Sequence, residues 1–523
     1  MNYTKQIIIF NALLLMANLQ ALTPSQGQAT TVSQIGLNIP GVSSQNTWNS
    51  IVVPPDTMGA IGPEQFITFI NQGVYSIDKK TGKTDGILSS DNSSFFDAEG
   101  IPFDTRIRFD KWSQRWYLIA SASTSVPVLL LAVSDGPVIT KCTKWKLYEL
   151  DDATIPEGDG PSVRSGTLQI GQGGKSDGFL DFPLLGIDAK ALYISSTYSP
   201  PDRNDLEAYT IVYVINKESL LDCDSIVVTA FRDLPDFIFK SPTFTGYVRV
   251  TPADNLGNPN PECGYLFDSF DDFLGLAGPD ASKIFQLWKV LNPGSLNPVL
   301  TDPLTILSSI PHFPSFGIFN IPHKGAIQPV SNSGLIFGAS DNYSLIQNDP
   351  VTGEERLFYV SEVLCEQDGN SSGYPVNNVD NLDRTGIQWV EFKNIQTTPE
   401  EVQIGTIFDP AEIDFRYYFI PSYMVNKHGY MTINCATSAN NEYINASTFA
   451  RKYSDLLGAL GPENRIVQSN HSYNFQYSGG QRWGDYTYTS LDPCNETDMW
   501  TIQQWVPDTD QWGMKITQLK PGN

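Results

Sequence analysis

An all-β fold is predicted by three observations. The chain carries 41 Gly and 35 Pro and shows no long stretch of helical apolar spacing, which favours short strands joined by turns. From about residue 50 onward, alternating apolar runs are separated by Gly, Asn or Asp. Residues 66–71, residues 73–78 and the turn Lys80-Thr81-Gly82 read as strand, hairpin and strand. The runs also come in groups of about four with similar beginnings. With 41% of residues hydrophobic and only 17% charged, the chain can bury a large core and does not have a disordered composition.

The elements follow in chain order. Lys5 precedes an apolar run over residues 7–17, and Gly27 and Ala29 offer a −3/−1 cleavage pair, so residues 1–29 are expected to be a signal peptide. The run is shorter than the ~20 apolar residues that span a bilayer, and Asn11 and Asn18 interrupt it. Cleavage after Ala21 is the alternative. The mature chain, residues 30–523, is then a single secreted or periplasmic domain with no membrane insertion after cleavage, and a monomer is expected.

A first unit is expected near residues 32–100. The second has strands at 106–110, 115–120, 128–133 and 145–150, the third at 184–186, 191–196, 209–215 and 225–231, with a polar loop at 199–205. The fourth has strands at 248–252, 264–267, 284–290 and 304–307. The fifth covers 327–329, 334–339, 356–360, 387–392 and 402–407, and the sixth 417–421, 429–434, 447–453 and 466–468. The seventh covers 484–488, 499–504 and 512–518. Apolar spacing over 448–460 suits a short helix. Units of about 70 residues, repeated radially, make a β-propeller of seven four-stranded blades, six being the alternative. A pair of β-sandwiches competes, but would need seven to nine strands in each. The segments that open the units support the propeller. Asp181-Phe182-Pro183-Leu184-Leu185-Gly186 leads into Ala191-Leu192-Tyr193, and Tyr418-Phe419-Ile420-Pro421-Ser422 leads into Gly429-Tyr430-Met431.

Charge and cysteine usage exclude several functions. The 33 basic and 57 acidic residues leave a net charge of −24, which repels nucleic acid and anionic lipid. Cys142, Cys223, Cys263, Cys365, Cys435 and Cys494 are an even set in a chain bound for an oxidising compartment, so disulfides are expected. No CxxC or Cys/His cluster has zinc-site spacing, and His312, His323, His428 and His471 are scattered.

Four stretches carry a family resemblance. They are Pro54-Pro55-Asp56-Thr57-Met58-Gly59-Ala60-Ile61-Gly62-Pro63, Phe103-Asp104-Thr105-Arg106 with Asp110 and Gln114-Arg115-Trp116, Asp181-Phe182-Pro183 with Gly186-Ile187-Asp188, and Arg482-Trp483-Gly484-Asp485-Tyr486 with Ser490-Leu491-Asp492-Pro493. In this order they resemble exported bacterial β-propeller proteins of undefined activity, loosely grouped with sialidase-like propellers. The resemblance implies an extracytoplasmic propeller without implying a reaction. Asp-box turns of the form Ser-x-Asp-x-Gly-x-x-Trp occur only in degenerate versions, at Ser134-Asp135 ahead of Trp145 and from Ser490 to Trp500. A sialidase would also need three arginines to clamp a carboxylate, a Tyr nucleophile with a Glu partner and an Asp acid/base. No such Tyr/Glu pair is marked out, and catalytic residues are not assigned.

In a propeller, first strands line a central funnel, so polar residues at unit starts are the site candidates: Asp56, Asp104, Arg106, Asp181, Arg482 and Asp485, with Asp383 and Arg384 beside them. Converging carboxylates can coordinate Ca²⁺ or act as an acid/base pair on a glycoside. The competing role is structural, with Asp side chains accepting backbone N–H bonds from neighbouring blades and Arg482-Trp483 closing the ring by packing. No cofactor beyond Ca²⁺ is suggested. Asp268, Asp271 and Asp272, and the run Glu157-Gly158-Asp159-Gly160, lack the calcium-loop pattern and read as solvated loops. Gly171, Gly173 and Gly174 with Lys175 lack phosphate-loop spacing, and no G-x-S-x-G elbow occurs. The leading expectation is a module binding a glycan or protein ligand at its funnel. A sialidase-like glycoside hydrolase using funnel Asp and Arg residues is the alternative.

Overall fold

The computed structural model describes residues 29–46, 52–122, 126–158, 178–199, 209–222, 226–234, 250–269, 284–310, 320–327, 330–331, 343–371, 383–477 and 480–522. The signal-peptide expectation, Cys223, Asp159, Gly160, the glycines at 171, 173 and 174, Lys175, Asp271, Asp272 and the strand expected at 334–339 lie outside these residues.

Among the described residues, strands pair into seven antiparallel arrays, or blades, six of four strands and one of five. Five are separate sheets, and two are joined by parallel pairing of their first strands. The first strands are Gly59–Ile61, Pro102–Asp110, Phe179–Ile187, Thr251–Asn255, Ser344–Asn348, Tyr417–Val425 and Tyr488–Leu491. Each packs against the next, and the last packs against the first. A closed ring of strands around one axis, each carrying its sheet outward, is a β-propeller.

Position in the ring explains each strand's composition. Tyr417–Val425 is buried along its whole length, because neighbouring blades cover both of its faces. The outermost strands Thr84–Asp91 and Trp145–Asp151 keep exposed and half-exposed residues along their length. Aromatic rings fill the wedges between blades. Phe267 of the fourth blade meets Tyr359 of the fifth at 4.8 Å, and Phe95 of the first meets Trp145 of the second at 5.1 Å. Trp116, Trp288, Trp389, Trp483, Trp500 and Trp512 are all fully buried, so most of the ten tryptophans serve the core.

Four expectations need correction. The strand Gln34–Ser43, expected in a first unit at 32–100, is the outer strand of the last blade, paired antiparallel with Gly513–Lys520. The fifth blade opens with Ser344–Asn348, not at 327–329. No helix forms over 448–460. Strand Glu442–Arg451 runs into that span and is followed by turns, because residues 446–448 pair with Asn464–Val467. Asp268 is not in a solvated loop but buried on the strand Cys263–Ser269, opposite Gln286. The five described cysteines form no disulfide. Cys263, Cys365 and Cys435 are each buried on a different blade, and Cys142 and Cys494 are exposed on separate loops.

Candidate functional site

The repeated opening segments produce one local device. Asp104, Phe182 and Ile420 all adopt positive φ, at 53°, 49° and 50°, and the pairing register slips at each of them, between Phe103 and Arg106, Asp181 and Leu184, and Phe419 and Ser422. Left-handed backbone is unfavourable for non-glycine residues and worst for a β-branched one such as Ile420, so tertiary bonds must hold it. Pro183 and Pro421 follow two of the bulged residues and bring no N–H that would need a ladder partner.

In each case the bulged residue's N–H crosses to the preceding blade. Asp104 donates to Asn71 Oδ1 at 2.8 Å, Phe182 to Asp104 Oδ2 at 3.0 Å, and Ile420 to Glu362 Oε2 at 3.1 Å. At the seam between last and first blades, Asp485 N–H donates to Asp56 Oδ1 at 2.8 Å. Asn71 Nδ2 donates to the other Asp56 oxygen at 2.6 Å. A chain of bonds thus links the seventh, first, second and third blades at one end of the axis.

All six candidates from the sequence meet at this end. Asp56, Asp104 and Asp485 are buried, at 1%, 7% and 7% exposure, and Arg106 is at 0%. Asp181 is half-buried, and the Arg482 side chain is 33% exposed. Arg482 Nη2 donates to both Asp485 oxygens at 3.1 and 2.8 Å. The Arg106 guanidinium lies 3.4 Å from the centre of the Tyr486 ring and 5.1 Å from that of Phe182. Its Nη1 donates to Thr105 O at 3.0 Å, while Nε and Nη2, both buried, have no hydrogen-bond partner among the described residues. The Tyr486 hydroxyl is buried in the same condition.

Crowded carboxyls in a dry site resist ionisation. Burial, with the Asp485 charge, pushes Asp56 up to about 7, although Arg482 and Arg106 pull the other way. Burial, then Asp181 and Asp56, raises Asp104 well above the usual carboxylate range. Burial works against the Arg482 charge, but Asp485 and Asp56 more than offset it and its pKa rises. Burial also raises the Tyr486 phenol. Among the described residues, no group of three or more His, Cys, Asp or Glu side chains is placed to hold a metal ion.

Deeper along the axis the ring is filled. Arg108 Nε donates to Asp254 Oδ1 and Oδ2 at 3.1 and 2.9 Å, and its Nη2 to Leu185 O at 2.8 Å. Tyr488 donates to Asp254 Oδ2 at 3.1 Å and lies 3.9 Å beneath the Arg108 guanidinium. Beyond this layer the opposite face holds a space of about 40 Å³ lined by Arg108, Lys111, Trp112, Asn255 and Glu496, room for one or two waters.

Asp383 and Arg384 lie elsewhere. Arg384 pairs with its neighbour Asp383 and donates to Asp409 O and Ala411 O at 2.5 and 2.9 Å, stacked on Phe415 at 3.9 Å. This is a clamp within the fifth blade and its exit loop. Sequence reasoning missed Asn71, Tyr486 and Glu362. Asn71 reads as an ordinary hairpin residue and Glu362 sits mid-strand. Tyr486 could have been found, since it follows Asp485 in the quoted motif.

No protein-family model and no curated protein matches the sequence. Solved structures that resemble it include a Penicillium chrysogenum alpha-L-arabinanase complexed with arabinobiose. It is 12% identical, covers 82% of this chain and 100% of its own, and has a TM-score of 0.36. The Trypanosoma rangeli sialidase, in complex with sialic acid, is 9% identical over 82% of this chain and 60% of its own, with a TM-score of 0.36. The Dos1 propeller is 7% identical over 92% and 94%, with a TM-score of 0.36. The propeller assignment rests on the ring of strands rather than on these likenesses.

Proposed function

We propose that the protein is an exported, monomeric binding module that takes a glycan at the carboxylate end of its axis. The observation that carries this reading is the convergence of Asp56, Asp104, Arg106, Asp181, Arg482 and Asp485 there, with Asp181 half-buried and Arg482 partly exposed at its surface. The deeper Arg108–Asp254 layer fills the axis, so ligand would arrive from this end.

Glycoside hydrolysis is the second reading, favoured by Asp56, whose pKa of about 7 suits a general acid. Against it, both Asp56 oxygens already accept bonds from Asp485 N–H and Asn71, and the residue is nearly inaccessible. A glycan array run beside a panel of chromogenic glycosides tests the two. Binding without turnover is expected. Turnover abolished by Asp104→Asn or Asp181→Asn would establish the hydrolase, and silence on the array would end the glycan reading in favour of a protein ligand.

A further inference from the structure

We infer that the rim of the seam between the seventh and first blades is a binding site for a small, uncharged, mostly apolar molecule, independent of what the funnel takes. Blades diverge as they leave the axis, so each seam widens outward and needs bulky side chains to fill it. At the seam between the first and second blades Phe95 and Trp145 do so, in contact at 5.1 Å. At the closing seam the rim carries Pro40 and Gly41 on the strand Gln34–Ser43, and Gly86 and Ser89 on the strand Thr84–Asp91. They leave a cavity of about 360 Å³, within the range of small-molecule sites. Gly86 has a φ of 66°, which favours glycine, and a Cβ added there would meet nothing within 4 Å.

The cavity has an apolar floor and an open, neutral rim. Val42, Tyr75 and Ile77 are buried beneath it. Pro40, Thr84, Gly86 and Ser89 are exposed around it, so solvent reaches the site without movement of the fold. Among the described residues, no Asp, Glu, Lys, Arg or His lines it, in a chain with a net charge of −24. Asp85, on the same outer strand, has both oxygens engaged: Oδ1 accepts from Ser76 Oγ and Ile87 N–H, and Oδ2 from Gln65 Nε2. A charged ligand would lose hydration here and gain no ion pair, whereas an apolar one releases water from apolar walls. The Thr84 and Ser89 hydroxyls at the rim can donate or accept, which suits a ligand carrying a hydroxyl or carbonyl. Strand addition by a peptide is opposed by Pro40, which has no N–H, and by the shift in ladder register between Tyr75 and Ile77. Because the walls come from residues 40–42 and 75–89, a bound molecule would bridge the outer strand of the last blade to the first blade.

The test titrates the mature protein with N-phenyl-1-naphthylamine, a neutral fluorophore, and with 8-anilino-1-naphthalenesulfonate, which adds a sulfonate to the same rings. The neutral probe is expected to bind saturably at one site per chain and to raise the melting temperature as its concentration rises. The anionic probe is expected to bind more weakly by about tenfold or more. Ser89→Trp and Thr84→Trp, at exposed positions of the outer strand, place an indole in the cavity. Each should weaken the neutral probe by about tenfold or more while the melting temperature of the free protein stays unchanged. Leu457→Ser, at an exposed apolar residue after the third strand of the sixth blade, should leave binding as it was. Absence of saturable binding, equal binding of the two probes, or binding that survives both tryptophan substitutions would overturn the inference, and so would its loss in Leu457→Ser. Glycan binding measured in the same tryptophan variants should be untouched, so the funnel reading and this one fail separately.

Discussion

Asp56 joins the first blade to the last through a carboxyl that is 1% exposed, and its proton is therefore tied to the fold. Its folded-state pKa of about 7 lies above the ordinary 3.8, so between those values the folded protein holds a proton that the unfolded chain releases. Stability should therefore be highest near and below pH 4 as far as this group is concerned, and be lost as pH rises towards 7. Each tenfold difference in proton affinity is worth about 1.4 kcal/mol, so the total is a few kcal/mol. Asp104, raised mainly by the same burial, acts in the same sense. Melting curves should show a higher Tm at pH 5 than at pH 8, and Asp56→Asn should flatten that slope. Parallel slopes for the two proteins would show that Asp56 does not titrate with folding. Glu362 tests the bulge device where no other carboxyl shares the bond. It is fully buried and holds the N–H of Ile420, so Glu362→Ala should cost about 2–4 kcal/mol, read by urea denaturation. Glu362→Gln, which keeps an acceptor oxygen, should cost less.

Among elements, the closing strand Gln34–Ser43 has the most unusual place. It pairs with Gly513–Lys520 and is tied to the sixth blade by Asn38 Nδ2 to Ile466 O at 2.9 Å and Asn464 Nδ2 to Ser33 O at 2.9 Å. Just before it, Thr31 passes so close to Gly461 that an added Cβ would lie 1.7 Å from the Thr31 carbonyl oxygen. Gly461→Ala must therefore displace this segment, and a loss of about 1–3 kcal/mol with early proteolysis near residue 30 is expected. Wild-type resistance in that variant would show that the docking is slack. Much of the element order was legible in the sequence because the bulged openings, such as Asp181-Phe182-Pro183, repeat a physical requirement of the ring. What stayed hidden depended on distant partners. Nothing local in residues 34–43 announces a partner at 513–520, and the apolar spacing over 448–460 is that of a helix until the pairing of 446–448 with the next strand is known. Ser344–Asn348 was missed because its short polar composition gives little alternation, although parallel pairing with Ala253–Asn255 buries nearly all of it. The six site candidates converged because unit starts share one end of the axis. Asp383 and Arg384 did not, because they belong to a local clamp.

For the whole molecule, the axis is closed by a buried ion pair. The side chains of Arg108 and Asp254 are only 3% and 0% exposed, and they draw on the second and fourth blades, with Tyr488 from the seventh. Burial raises the Asp254 carboxyl while Arg108 pulls against it. Removing one partner strands the other charge in a dry site, so Arg108→Met should destabilise the ring by about 3–5 kcal/mol. Arg108→Met with Asp254→Leu should recover much of that loss, measured by chemical denaturation. A double variant no more stable than the single would show that Tyr488 and Leu185, not the charge, set the cost.

The pairing of the strand at 34–43 with the strand at 513–520 also bears on how the molecule is made. The strand at 34–43 can find its mate only after the chain between them has been made, roughly 20–90 s later at about 5–20 residues per second. Until then that segment of the nascent polypeptide carries an unpaired β-edge, the type of surface that recruits other chains. Ring closure therefore waits for the strand at 513–520, and a molecule released before residue 513 keeps its blades unlatched.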